Sequence, residues 1–151
     1  MPDTEPLEPR ESLILALANA VAASIGQMTL IENDANIESG LLGKYEPKDT
    51  DVLQIRVYPG SPEVRRISRS QDEWDISIYV SCMRSVKGFS ESVLLGQMES
   101  IMEWFVGRTL QVNGKRYRAQ VSELPQDLNR DLLNEKKIFE STVAIRFRAL
   151  V

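Results

Sequence analysis

Two neighbouring stretches of the chain alternate between apolar and polar side chains. Their apolar positions are Leu53, Ile55 and Val57 in the first stretch, and Trp74, Ile76, Ile78, Val80 and Cys82 in the second. Successive side chains of a β-strand point to opposite faces of a sheet, so a period of two is typical of a half-buried strand. Each stretch is therefore predicted to be a strand with one buried face and one solvent-facing side.

The connection between these strands predicts a projecting β-hairpin arm with a basic tip, running from Tyr58 to Asp72. It contains turn-forming residues followed by arginines: Pro59, Gly60, Pro62, Arg65, Arg66 and Arg69. The tip is too polar to enter a core, and ordering a free backbone costs about 1–2 kcal/mol per residue in lost entropy. We therefore expect the arm to be mobile in an isolated subunit and to become ordered against a partner, which Tyr58 and the three arginines contact.

Apolar stripes with helical spacing predict two main helices. The first covers residues 11–25 before a stop signal at Gly26, and its stripe is Ile14, Leu17, Ala18, Val21 and Ile25. The second, capped by a serine at 90 or 92, ends near Gly107, and its stripe is Leu94, Met98, Ile101, Met102 and Phe105. Glu99 and Glu103 lie opposite that stripe, so this face either meets solvent or binds a cationic partner.

The remaining segments complete a predicted α+β domain over residues 10–151. Asn113-Gly114 is a strong two-residue hairpin signal, and alternation from Phe139 to Phe147 predicts the last strand. Residues 33–50 are expected to be a loop and residues 1–9 a flexible tail. The expected fold is an antiparallel or mixed sheet of about four to five strands, with two main helices packed against it and the arm projecting. The apolar face of the second strand, from Trp74 to Val80, should lie beneath the second helix.

The composition narrows the chemistry that this chain can perform. The 151 residues include no histidine and one cysteine, Cys82, with a net charge of −4. Histidine-dependent nucleophilic catalysis, histidine metal ligands and an internal disulfide are thereby excluded. Asp72 and Glu73 are adjacent, so they point to opposite faces of a strand and do not form a catalytic pair. We therefore expect no enzymatic activity, no cofactor and no bound metal, and we expect Cys82 to be a buried apolar side chain.

The arginines allow three interpretations, which the sequence leaves open. They occur in the arm and on several strands: Arg56, Arg65, Arg66, Arg69, Arg84, Arg116, Arg118, Arg146 and Arg148. They form solvated strand faces that protect sheet edges from aggregation, or they make ion pairs between subunits, or they contact nucleic-acid phosphates. The acidic net charge argues against a generally basic nucleic-acid-binding protein.

The order of helix, long hairpin, helix, short hairpin and final strand resembles the tail terminator (tail completion) proteins of long-tailed bacteriophages. The segments that carry the resemblance are LILALANAVAASI, VYPGSPEVRRISRSQDEWDISIYVSCM, SVLLGQMESIMEWFVGRTL and FESTVAIRFRALV. The resemblance implies an α+β subunit without a catalytic site and a homohexameric ring that caps the tail tube. It also implies a virion location at the head-proximal end of the tail, assembly in the host cytoplasm, and no membrane. The implied partners are other copies of the chain, the tail tube protein and a head connector or neck protein, with DNA passing through the ring.

Other classes of protein fit the same pattern. The nearest is another head–tail connector or neck component, or a tail-tube protein, which would polymerise without limit instead of stopping at one ring. A nucleic-acid-binding module that uses the basic hairpin would show salt-dependent affinity for DNA. An enzyme is a third class, which the absence of histidine weakens.

Overall fold

The computed structural model describes residues 12–41, 50–121 and 127–150. The predicted tail, residues 1–9, and residues 42–49 of the predicted 33–50 loop lie outside these ranges. The described part contains three helices and eight strands. In chain order they are α1 (Leu13–Ile25), β1 (Asn36–Ser39), β2 (Gln54–Pro59), β3 (Glu63–Arg66), β4 (Asp72–Ser85), α2 (Glu91–Phe105), β5 (Thr109–Val112), β6 (Lys115–Val121), β7 (Asp127–Leu128), α3 (Arg130–Lys136) and β8 (Ile138–Leu150).

The strands form one mixed sheet in the order β1-β2-β4-β8-β6-β5, with β3 paired to β4 and β7 paired to β8. Only the β1–β2 pairing among these described strands is parallel. The antiparallel pair of β4 and β8 is the centre of the sheet and pairs Glu73–Ser85 with Leu150–Ile138. Helix α1 contacts β1 and β2 near one edge of the sheet and β5 at the other. The sheet therefore curls around its helices.

Local signals in the sequence explain where the helices begin and where one hairpin turns. The Ser12 side chain accepts a hydrogen bond from the Leu15 N–H at the start of α1, and Ser90 accepts one from the Val93 N–H at the start of α2. Both are serine N-caps, which satisfy backbone donors in the first helical turn. Asn113 and Gly114 have φ values of 52° and 81°. Two positive φ values in a two-residue loop are typical of a type I′ turn.

The concave face of the sheet and the buried sides of α1 and α2 form the core. The predicted stripe of α2 is buried throughout, and so is the predicted stripe of α1 except for Ile14, which is half-buried. Cys82 is also buried, as predicted, and desolvation raises the pKa of its thiol from 9.0 to about 12.

The covering of β4 differs from the sequence prediction. Ile76, Ile78 and Val80 are fully buried, whereas Trp74 is only half-buried. Helix α2 packs mainly against β8 and β6, while α1 packs against β2 and also contacts β4. The predicted burial is therefore correct for three of the four residues, but the covering helix was misassigned. Amphipathic stripes give the buried side of a helix without saying which strand it contacts.

The predicted α+β class is confirmed, but the predicted number of elements is too low. Strand β1 lies inside the predicted 33–50 loop, and the short elements β3, β7 and α3 add to the count. Strand β1 has the sequence NIES, in which only Ile37 has a clear preference for strands. Its contacts with β2 explain why it forms a strand: Asn36 donates a side-chain hydrogen bond to Gln54 at 2.8 Å, and Glu38 pairs with Arg56 at 3.5 Å.

Candidate interaction surface

The arm is a β-hairpin at the end of the central strand pair. Strand β3 pairs with the start of β4, in the register Glu63↔Asp75 to Arg66↔Asp72. The N–H groups of Ile67 and Ser68 both donate to the carbonyl oxygen of Gln71 at 3.2 Å and close the turn. All four residues of β3 are exposed. The arm therefore extends β4 beyond the region that β2 covers and presents its tip to solvent.

Tyr58 lies at the root of the arm, not at its tip. Its ring is 5.4 Å from the ring of Tyr79 on the outer face of the sheet. The Gly60 N–H donates to the Ser77 carbonyl oxygen at 2.8 Å, and a Cβ on Gly60 would lie 2.6 Å from the Tyr79 ring. The close approach of backbone to ring requires glycine here. Tyr58 thus belongs to the packing that fixes the direction of the arm.

The three predicted arginines of the arm are exposed but not equivalent. The Arg66 Nε lies 3.1 Å from the Asp72 Oδ1, in an ion pair where 71% of the arginine side chain is exposed. Arg65 stands opposite Glu73 in the register, and Arg69 lies in the turn. Neither Arg65 nor Arg69 has an ion pair with another described residue. Two arginines at or near the tip of the arm are therefore exposed and make no ion pair with another described residue.

Glu99 and Glu103 lie on a second surface, the exposed side of α2. They are one helical turn apart and exposed, and no cation among the described residues pairs with them. The opposite side of α2 packs against β8 and β6. We call the exposed side, with Leu95, Glu99 and Glu103, the acidic helix face. The structure thus separates the six predicted interface residues into the root of the arm, its tip, and this helix.

Both surfaces also expose apolar side chains, which were not predicted from the sequence. Seven large apolar side chains are exposed in the described part of the chain. Three lie in the arm or at the adjoining end of β8, and three lie in α2 or directly after it: Val64, Ile67 and Leu150, and Val93, Leu95 and Val106. The seventh is Leu41. Val64 and Ile67 are apolar residues inside a polar turn region, and this pattern in the sequence could have indicated an exposed apolar contact surface.

Arg84 and Glu32 form a buried structural network, not part of a surface site. The Arg84 Nε donates to a Glu32 carboxylate oxygen, and the other oxygen accepts the Leu53 N–H at 2.8 Å. The Arg84 guanidinium also donates to the carbonyl oxygens of Ser85 and Lys87. Only 8% of the Arg84 side chain and 9% of the Glu32 side chain are exposed. Grouping Arg84 with the surface arginines was therefore wrong.

The described part of the chain shows no arrangement suited to metal-dependent chemistry. No three Asp, Glu, Cys or His residues within it lie close enough to hold a metal ion. Nor does any described helix have both the length and the apolar character needed to cross a membrane.

Comparisons with known proteins identify a related fold. No protein-family model and no curated protein matches the sequence. One solved structure that does match is a chain from the virion of a native gene transfer agent (GTA) particle. The two share 12% sequence identity and superpose with a TM-score of 0.54 over 93% of this chain and 100% of the other. At this identity the similarity establishes the α+β fold.

Proposed function

We propose that this chain is a virion structural protein that forms a homohexameric ring at the head-proximal end of a phage-type tail. The ring ends polymerisation of the tail tube and presents a docking surface to a head connector or neck protein. The observation that carries this proposal is the fold, which is shared over 93% of the chain with a chain from a GTA virion. The resemblance to tail terminators in the helix and hairpin segments supports this particular role within the virion.

The arrangement of surfaces supports a ring of identical subunits. A closed ring repeats one heterologous contact, so each subunit needs two different and complementary surfaces. This chain carries a basic arm tip and a separate acidic helix face, and both expose apolar side chains. In this proposal residues 10–151 act as one unit, with no catalytic activity, cofactor or metal. The arm makes the contact that limits assembly to one ring.

Removing the protein from its own particle tests the proposed function. Without the chain, electron microscopy is expected to show tails of uncontrolled length that do not join heads, and supplying the wild-type chain is expected to restore uniform joined tails. A variant with Arg65, Arg66 and Arg69 changed to glutamate should fold and fail to restore them. The control changes Lys115, Arg116 and Arg130 to glutamate, an equal change in charge elsewhere, and should restore them. Normal particles without the chain would overturn the proposal.

A further inference from the structure

We propose that the arm of one copy docks on the acidic helix face of the next copy. This inference rests on the proposed function only in requiring a second copy of the same chain. It specifies which two surfaces meet in the heterologous contact. Arg65 and Arg69 face Glu99 and Glu103 across the interface, and the exposed apolar side chains of the two surfaces pack together.

Charge complementarity is the first argument. Arg65 and Arg69 have no ion pair among the described residues, and neither do Glu99 and Glu103. The whole chain carries a net charge of −4, so two copies repel each other on average. A basic tip is the surface that an acidic partner attracts. The acidic helix face repels the acidic surfaces of another copy and attracts its basic arm tip.

The distribution of apolar side chains is the second argument. Exposed large apolar side chains occur on both surfaces: Val64 and Ile67 in the arm, with Leu150 at the adjoining end of β8, and Leu95 on the acidic helix face. Scattered exposed apolar residues need no explanation, but apolar side chains next to opposite charges on two surfaces favour a contact between them. Exposed ion pairs contribute little affinity. The apolar contacts therefore supply most of the binding free energy, and the charges select the orientation.

The fold prevents the two surfaces from meeting within one copy. The arm pairs with β4 and lies within the sheet. Helix α2 places its apolar side on β8 and β6, which turns the acidic helix face away from the sheet. An arm can therefore reach this face only on another molecule. Because the two surfaces differ, the contact is head-to-tail and closes into a ring when the rotation between copies allows it.

Small side chains along α2 leave space for the approach of a hairpin. Gly96 lies one turn before Ser100 and one turn after Ser92, so three small residues follow each other along the helix. A Cβ on Gly96 would meet no atom within 4 Å. The backbone of α2 is therefore accessible beside Leu95 and Glu99. This low strip gives room for the turn of an incoming arm.

Charge exchange between the two surfaces tests the docking. The arm variant Arg65→Glu/Arg69→Glu and the helix variant Glu99→Lys/Glu103→Lys should each associate at least about tenfold more weakly in sedimentation velocity experiments, with unchanged circular dichroism. An equimolar mixture of the two variants should associate nearly as well as wild type, since each arm then finds a helix of opposite charge. The matched control Lys115→Glu/Arg116→Glu should associate like wild type. Unchanged association of either variant, or a mixture as weak as its components, overturns the docking.

A thiol cross-link identifies the contacting residues directly. Cys82 is the only cysteine and is buried, so introduced thiols report without interference. Ser70→Cys in the arm turn and Ser100→Cys on α2, placed in separate chains and mixed, should form a disulfide-linked dimer on mild oxidation. Replacing Ser100→Cys with Gln111→Cys on β5 should abolish the product. If the cysteine variants formed rings of wild-type size without this cross-link, the docking would be overturned and the proposed function would stand. If they cross-linked but formed open polymers, the docking would stand and the proposed ring would be overturned.

Discussion

At the scale of single residues, the Arg84 guanidinium is held by several partners at once. It lies inside the fold, and the carboxylate of Glu32 and two backbone carbonyl oxygens accept its hydrogen bonds. The same carboxylate accepts a hydrogen bond from the Leu53 N–H directly before β2. The Phe89 ring lies 4.2 Å from the guanidinium carbon. One ion pair thus joins the segment after α1, the segment leading into β2, and the loop that leads into α2.

Removing one member of this pair is expected to destabilise the protein strongly. Glu32→Ala leaves a buried guanidinium without its counter-ion, which costs about 3–5 kcal/mol. Arg66→Ala removes an exposed ion pair and should cost at most about 1 kcal/mol. Urea unfolding followed by circular dichroism measures both. Equal losses for the two variants would show that the Arg84–Glu32 pair is not buried in solution.

The Cys82 thiol is expected to be unreactive in the folded protein. Desolvation raises its pKa to about 12, so the thiol keeps its proton at pH 8. The protonated thiol is unreactive because the thiolate is the nucleophile. Because its pKa is raised from 9.0, its contribution to stability is complete below pH 9 and declines as the pH rises towards 12. A chromogenic disulfide reagent at pH 8 should react rapidly in urea and very slowly without it. Rapid reaction under native conditions would contradict the burial.

At the scale of elements, two glycines in similarly open surroundings have opposite roles. Neither a Cβ on Gly114 nor one on Gly96 would meet an atom within 4 Å. Gly114 has a φ of 81° in the hairpin between β5 and β6, whereas Gly96 lies inside α2. Backbone conformation, not space, therefore decides the effect of adding a methyl group at each site.

Alanine at these two glycines is expected to change stability in opposite directions. Gly114→Ala forces an L-residue into a left-handed conformation and should lower the unfolding free energy by about 1–2 kcal/mol. Gly96→Ala removes a flexible residue from a helix and should raise it by about 0.5–1 kcal/mol. Thermal unfolding of the two variants checks both signs. A destabilising Gly96→Ala would show that α2 is not regular at this position.

The elements that the sequence predicted correctly are those whose pattern carries its own signal. The β4 alternation, the stripe of α2 and the Asn113-Gly114 turn all follow from local periodicity or turn chemistry. Strand β1 was missed because NIES becomes a strand only through pairing with β2, a contact distant in sequence. Charge in the sequence singled out Arg65, Arg69, Glu99 and Glu103, and all four are exposed in the structure. The packing of Tyr58 on Tyr79 depends on the register between β2 and β4, which no local pattern reveals.

At the scale of the whole molecule, a small acidic protein carries a basic arm at the end of its central strands. Its central strand pair is longer than the region that β2 covers, and the arm pairs with the first four residues of β4 beyond that region. The tip exposes arginines without ion pairs among the described residues, and a separate helix exposes glutamates without them. A subunit built in this way satisfies both surfaces by head-to-tail association with its own copies. The number of copies is then fixed by the angle between them.

Native mass spectrometry of the purified wild-type chain tests the central claim most directly. We predict one discrete assembly at six times the 17.1 kDa mass of the chain, in equilibrium with monomer and without larger species. A chain that remains monomeric at every concentration, or that grows into assemblies of unlimited size, would contradict the ring.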